Sequence, residues 1–89
     1  NPGKRPDPVK TDAILTLDLH GKNAYQARIA LEAALRQRGG AYRIRIIHGY
    51  GHNTRLKDMI RAEYGDHPAV LRLEAGANPG QTDMVLREL

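Results

Sequence analysis

At 89 residues, 40% of them hydrophobic and 27% charged, the chain has the size and balance of one small globular domain. It contains no cysteine and no serine, which removes disulfides, thiolate metal sites and any Ser or Cys nucleophile. A net charge of +4 points toward a polyanion, nucleic acid above all, while the lack of Phe and Trp beside only four Tyr favours contact with backbone phosphate over base stacking.

Residues 1–12 hold three of the five prolines and almost nothing apolar, the composition of a linker or tail. The chain starts on Asn rather than Met, so residues 13–89 read as the folded domain of a larger parent protein, at its C-terminus or cut at a boundary. No apolar run approaches the roughly 20 residues that a membrane helix needs. No charged-then-apolar leader is visible, and with the absence of cysteine this favours a cytoplasmic setting.

Alternation predicts a first strand over 13–19, with Leu15, Leu17 and Leu19 on one face and Ile14, Thr16 and Asp18 on the other. Asn23 and Gln26 have capping-box spacing before a helix whose stripe is Ala24, Ala27, Leu31, Ala34 and Leu35, closed by Gly39 and Gly40. Tyr25 and Ile29 fall off that stripe as an exposed pair. A second strand over 41–47 turns Tyr42, Ile44 and Ile46 one way and Arg43, Arg45 and Ile47 the other. A second helix begins near Thr54 with Leu56, Met59, Ile60 and Tyr64 inward and stops at Gly65. A third strand over 69–75 puts Leu71 and Leu73 inward, and a fourth over 82–89 closes the chain.

The order is βαβαββ. Polar residues on one face of the strands argue against a sheet covered on both sides, so an α/β two-layer sandwich is expected. It has a four-stranded mixed sheet with both helices on one face and Arg43, Arg45 and Arg72 on the other.

Asp18 and His20 share one side of the first strand's carboxyl end, and "HGYGHNT" (48–54) follows the second. If the two strands are parallel neighbours, their tips converge at two helix N-termini. Unpaired N–H groups there attract phosphate, and histidine moves protons near neutrality. The bland alternatives are a carboxylate that only accepts backbone hydrogen bonds, a histidine that only fixes a turn, and a core histidine at His48, whose parity matches Ile44 and Ile46. Asp and His also suit divalent ions such as Mg²⁺ or Mn²⁺, although no diagnostic ligand spacing occurs.

"LDLHG" (Leu17 to Gly21), a capped helix, and a strand running into "HGYG" (His48 to Gly51) together resemble the Smr domain, the small MutS-related family. The resemblance spans about residues 13–89. It implies a βαβαββ fold similar to the C-terminal domain of bacterial translation initiation factor 3. It also implies nucleic-acid binding and, in many members, endonuclease activity that nicks DNA or cleaves RNA. Members often end larger proteins, including a MutS-like branch tied to DNA repair, recombination control or ribosome rescue.

By motif, Asp18 and His20 correspond to catalytic residues and Gly21 to their turn. His48, Gly49 and Gly51 correspond to a phosphate-contacting glycine loop, and Tyr50 and His52 join them as candidate phosphate-binding residues. Tyr50 stands where the family often has Lys or Arg, and Arg55 and Lys57 are the nearest replacements for that charge. "GANPGQT" has Asn-Pro where the family often has paired glycines. In the leading reading His20 is the general acid or base, Asp18 orients it or holds a cation, and the loop amides with Arg43, Arg45 or Arg55 hold phosphate. A docking module without catalysis, and a protein-interaction domain using Tyr25 and Ile29, are the alternatives.

Overall fold

The computed structural model describes residues 13–49 and 54–88. The expected linker at 1–12, and Tyr50, Gly51 and His52, lie outside the described residues. The elements are β1 (Ile14–Asp18), α1 (Ala24–Arg36), β2 (Arg43–Ile47), α2 (Arg55–Tyr64), β3 (Arg72–Ala75) and β4 (Gln81–Val85), in the expected βαβαββ order.

The first helix starts where its sequence says it should. The Asn23 side chain accepts from the Gln26 backbone N–H, and the Gln26 side chain accepts from the Asn23 N–H, so two otherwise orphaned donors are satisfied reciprocally. It ends at Arg36, two residues short of the expected Arg38, with Gln37 as its C-cap. The second helix buries Leu56, Met59, Ile60 and Tyr64, the stripe read from spacing.

The sheet order is β1-β2-β4-β3. β1 and β2 are parallel neighbours, as a crossover through α1 requires. β3 does not pair with β2; β4 inserts between them and runs antiparallel to both. Leu15, Leu17, Leu19, Ile44, Ile46, Leu73 and Met84 pack in one cluster with buried residues of both helices, so both helices cover the same sheet face. Each large apolar side chain enclosed there contributes roughly 1.5–3 kcal/mol.

Two expectations at the sheet's far side are corrected. Leu71 is 50% exposed, and Val70 is buried in its place. Leu71 precedes the short strand β3 at the sheet edge, where the alternation has not yet begun. The last strand ends at Val85 rather than running to Leu89, and Thr82 through Val85 are buried in succession. β4 is a central strand, so the burial of Asp83 and Val85 on its second face reflects shielding by neighbours on that face.

That second face carries a closed ionic network. Arg43 donates to Asp83 at 2.7 Å and contacts Glu74 at 3.0 Å. Arg72 contacts Glu74 at 2.8 Å and Glu88 at 2.6 Å. Across the helical layer, Arg28 holds Glu63 through two hydrogen bonds of 2.6 and 2.8 Å, and Tyr64 donates to Glu32 at 2.9 Å. These two contacts join α1 to α2. No helix among the described residues is long and apolar enough to cross a membrane.

Candidate functional site

β1 ends on Asp18, and the chain turns back through His20 and Gly21, which has φ +80°. Asp18 Oδ1 accepts from the His20 backbone N–H at 3.1 Å and lies 2.6 Å from His20 Nδ1. A carboxylate only accepts, so Nδ1 carries the hydrogen and the neutral ring keeps its lone pair on Nε2. Both side chains are open to solvent, at 70% for His20 and 54% for Asp18. The hydrogen bond from the His20 ring holds the Asp18 carboxyl below its ordinary value, helped by the His20 backbone N–H and, more weakly, by the charges of His20 and Lys22; slight desolvation opposes them. This is an oriented imidazole with one basic nitrogen exposed.

The two strand tips do converge. Asp18 is in register with Ile47, and the Leu19 N–H donates to the Ile47 carbonyl at 2.7 Å. A Cβ at Gly49 would stand 3.6 Å from His20 Cβ, an ordinary contact distance. Space is therefore not what requires glycine there. Its φ of +84° is, because L side chains rarely adopt that conformation.

His48 resolves one of the alternatives left open by parity: it is a core histidine, 6% exposed. Its Nδ1–H donates to the Gly49 carbonyl and its Nε2 pairs with Thr82 Oγ1, both at 2.8 Å. With both nitrogens engaged, His48 ties the loop to β4. The Gly49 amide is engaged as well. It donates, with the His48 N–H, to the Gly80 carbonyl at 3.1 and 2.9 Å, and so is not a free donor for phosphate.

A cleft of about 510 Å³ opens between the tips and the two helix starts. His20, Gly21 and Lys22 form one wall with Asn23 and Ala24 of α1; His48 and Gly49 form the second, and Arg55 and Leu56 of α2 the third. Thr54 directs its hydroxyl to Asp58 at 2.9 Å and makes no side-chain cap. Lys57 lies on α2 outside the cleft lining.

Arg43 and Arg45 stand apart, on the sheet's second face. Arg43 belongs to the ionic network, whereas Arg45 reaches Asp83 only at 3.8 Å. The Arg45 Nε is buried without a hydrogen-bond partner among the described residues.

Lys22 was not singled out by the sequence reading, and Leu56, Gly80 and Thr82, named there only as a core residue and within the "GANPGQT" turn, were not assigned to the site. Lys22 directly follows the "LDLHG" motif, and that adjacency could have marked it. Thr82 gives no local signal, being 34 residues from the histidine it holds. Among the described residues no three His, Asp or Glu side chains converge as metal ligands. One carboxylate, with an oxygen already engaged by His20, does not make a protein-built divalent site from those residues.

Comparison with known proteins adds two findings. A family model described as the Smr domain matches residues 17–86. The fold is similar to that of the crystal structure of the Smr domain of Thermus thermophilus MutS2, with 27% sequence identity and a TM-score of 0.71, covering 83% of this chain and 99% of that one. No curated protein matches the chain significantly.

Proposed function

The chain belongs to the Smr domain family, and on that premise we propose that it binds nucleic acid and cleaves its phosphodiester backbone, as one part of a larger cytoplasmic protein. The observation that carries this reading is the exposed His20, held by Asp18 and lining a cleft that Lys22 and Arg55 also line.

In this reading His20 Nε2 removes the proton from an attacking oxygen, either the 2′-hydroxyl of RNA or water. The new P–O bond forms as the bond to the leaving oxygen breaks, and the proton returns to that oxygen from the imidazolium or from solvent. Asp18 fixes the ring tautomer and stabilises the imidazolium, in the manner of the acid in a catalytic triad. Lys22 and Arg55 offset the extra charge on the phosphoryl oxygens. Gly21 and Gly49 supply the positive φ that the two turns at the tips need. Arg45, whose side chain is 40% exposed although its Nε is buried, and Lys57 would meet backbone phosphates outside the cleft. Tyr50, Gly51 and His52 would complete the loop, and a part in DNA repair or ribosome rescue belongs to the parent protein.

One finding favours a second reading, a docking module without catalysis. The buried His48 and the engaged Gly49 amide leave the described site with one proton carrier and few backbone donors. Labelled RNA and supercoiled plasmid, incubated with the domain with and without Mg²⁺ or Mn²⁺, separate the two. Cleavage that falls roughly 10²–10⁴-fold in His20→Ala and substantially in Asp18→Asn supports the nuclease. Salt-sensitive binding with no cleavage by the wild type supports the docking module. Cleavage indifferent to His20→Ala rejects the proposed site.

A further inference from the structure

Aromatic side chains are scarce in this chain, and the one large aromatic that stands exposed among the described residues sits beside the cleft. Tyr25 is 69% exposed, in the first turn of α1. Its chain neighbour Ala24 and, three residues back, Lys22 both line the cleft. Tyr25 itself does not line the cleft; it is the helix residue next to the lining. Ile29, one helical turn further on the same flank, is 53% exposed and extends the apolar surface along the helix. Neither side chain packs against the core cluster. Folding therefore does not explain an aromatic ring here, at a position that tolerates any polar helix former.

We infer that Tyr25, backed by Ile29, is a stacking platform for an unpaired base next to the phosphate held in the cleft, which makes the ligand a single strand. This rests on the nucleic-acid reading above and narrows it. An aromatic face beside a cationic pocket suits a nucleotide, whose base is flat and apolar on its faces and whose phosphate is anionic. In a duplex those base faces are already stacked, and only a splayed or single-stranded base can lie on a protein ring. The cleft side supplies Lys22 for the phosphate and the helix side supplies the ring for the base, a pairing of charge and aromatic surface common in single-strand grooves.

The test uses short fluorescein-labelled single strands of RNA and DNA, and the matching duplexes, titrated by anisotropy. Tyr25→Ala is expected to weaken single-strand binding roughly 5- to 150-fold, the range for loss of one base–aromatic stack, and to leave duplex binding unchanged. Tyr25→Phe and Tyr25→Trp are expected to retain affinity. The chain has no tryptophan, so Tyr25→Trp introduces a single indole whose emission should be quenched as the single strand saturates.

Unchanged single-strand affinity in Tyr25→Ala, or unquenched indole emission at saturation, overturns the stacking platform while leaving nucleic-acid binding intact. Equal weakening for single strand and duplex overturns the preference for unpaired bases. If the wild type binds neither, the nucleic-acid reading falls and the platform falls with it. Unfolding curves of each variant matching the wild type establish that the loss is one of contact, as expected for so exposed a side chain.

Discussion

Thr82→Val separates the framework of the cleft from its chemistry. Thr82 and His48 are each 6% exposed and share the 2.8 Å contact between Oγ1 and Nε2. The Gly49 carbonyl accepts only, so His48 donates through Nδ1 and its neutral Nε2 accepts from the threonine hydroxyl. Valine keeps the shape of threonine but removes that donor, leaving Nε2 buried without a partner. Such an orphaned group costs about 1–3 kcal/mol, partly offset by no longer burying a hydroxyl.

A net loss of about 1–2 kcal/mol is expected, which for a domain of this length corresponds to a fall in Tm of about 4–16 °C. Urea unfolding monitored by circular dichroism measures it, with an unchanged m-value as evidence that the same surface is exposed. His48→Leu in the Thr82→Val background should add less than His48→Leu alone, with a coupling of at least ~0.5 kcal/mol for directly contacting partners. Wild-type stability in Thr82→Val, or strict additivity in the double variant, would refute the claim that this pair holds the loop opposite His20.

Two titrations test the other ionisable contacts. In NMR experiments the Asp18 carboxyl should titrate below its ordinary 3.8 and move back toward that value in His20→Ala, because the His20 hydrogen bond is the largest cause of the shift. Its depressed folded-state pKa means that its contribution is present above the unfolded value and is lost as pH falls through the folded one. Tyr64 should ionise late: burial, then its hydrogen bond to Glu32, pushes the phenol up from 10.0 to about 12. The folded state favours the neutral phenol, so this contribution is present below the unfolded value of 10.0 and is lost as pH rises toward about 12. Ultraviolet difference absorbance should show that late component in the wild type and not in Tyr64→Phe, whose alkaline unfolding should also lose this dependence.

The parts of the fold governed by short-range periodicity were legible. The capping box at Asn23 and Gln26, the α2 stripe from Leu56 to Tyr64 and the alternation in β1 each follow from spacing within a few residues, and all three stand in the structure. What the sequence did not reveal depends on pairing. Nothing near "TDMVL" says that this strand lies between β2 and β3, so the burial of Asp83 and Val85 was out of reach. The site divides the same way. Asp18 and His20 are two residues apart on one strand, and their meeting is local geometry. The Thr82–His48 contact and the Gly80 carbonyl that receives two amides need β4 beside β2, a fact of topology.

Topology also decides where the positive charge acts. Read from the strands alone, Arg43, Arg45 and Arg72 form a basic face suited to phosphate. In the folded sheet, register brings Asp83 beside Arg45 and in line with Glu74, and Glu88 joins from beyond β4. Three arginines there meet three carboxylates, with contacts of 2.6 to 3.0 Å for all but Arg45. Asp83 is the most enclosed of the three acids, so separating Arg43 from it would leave a shielded carboxylate without its closest partner. A polyanion drawn to that face would have to compete with those bonds. At the cleft, by contrast, Lys22 and Arg55 stand at the starts of two helices, whose partial positive charge adds to their own. The sheet's second face, though rich in arginine, thus holds β2, β3 and β4 together, and the proposed phosphate belongs at the cleft, where two helix starts meet the exposed imidazole.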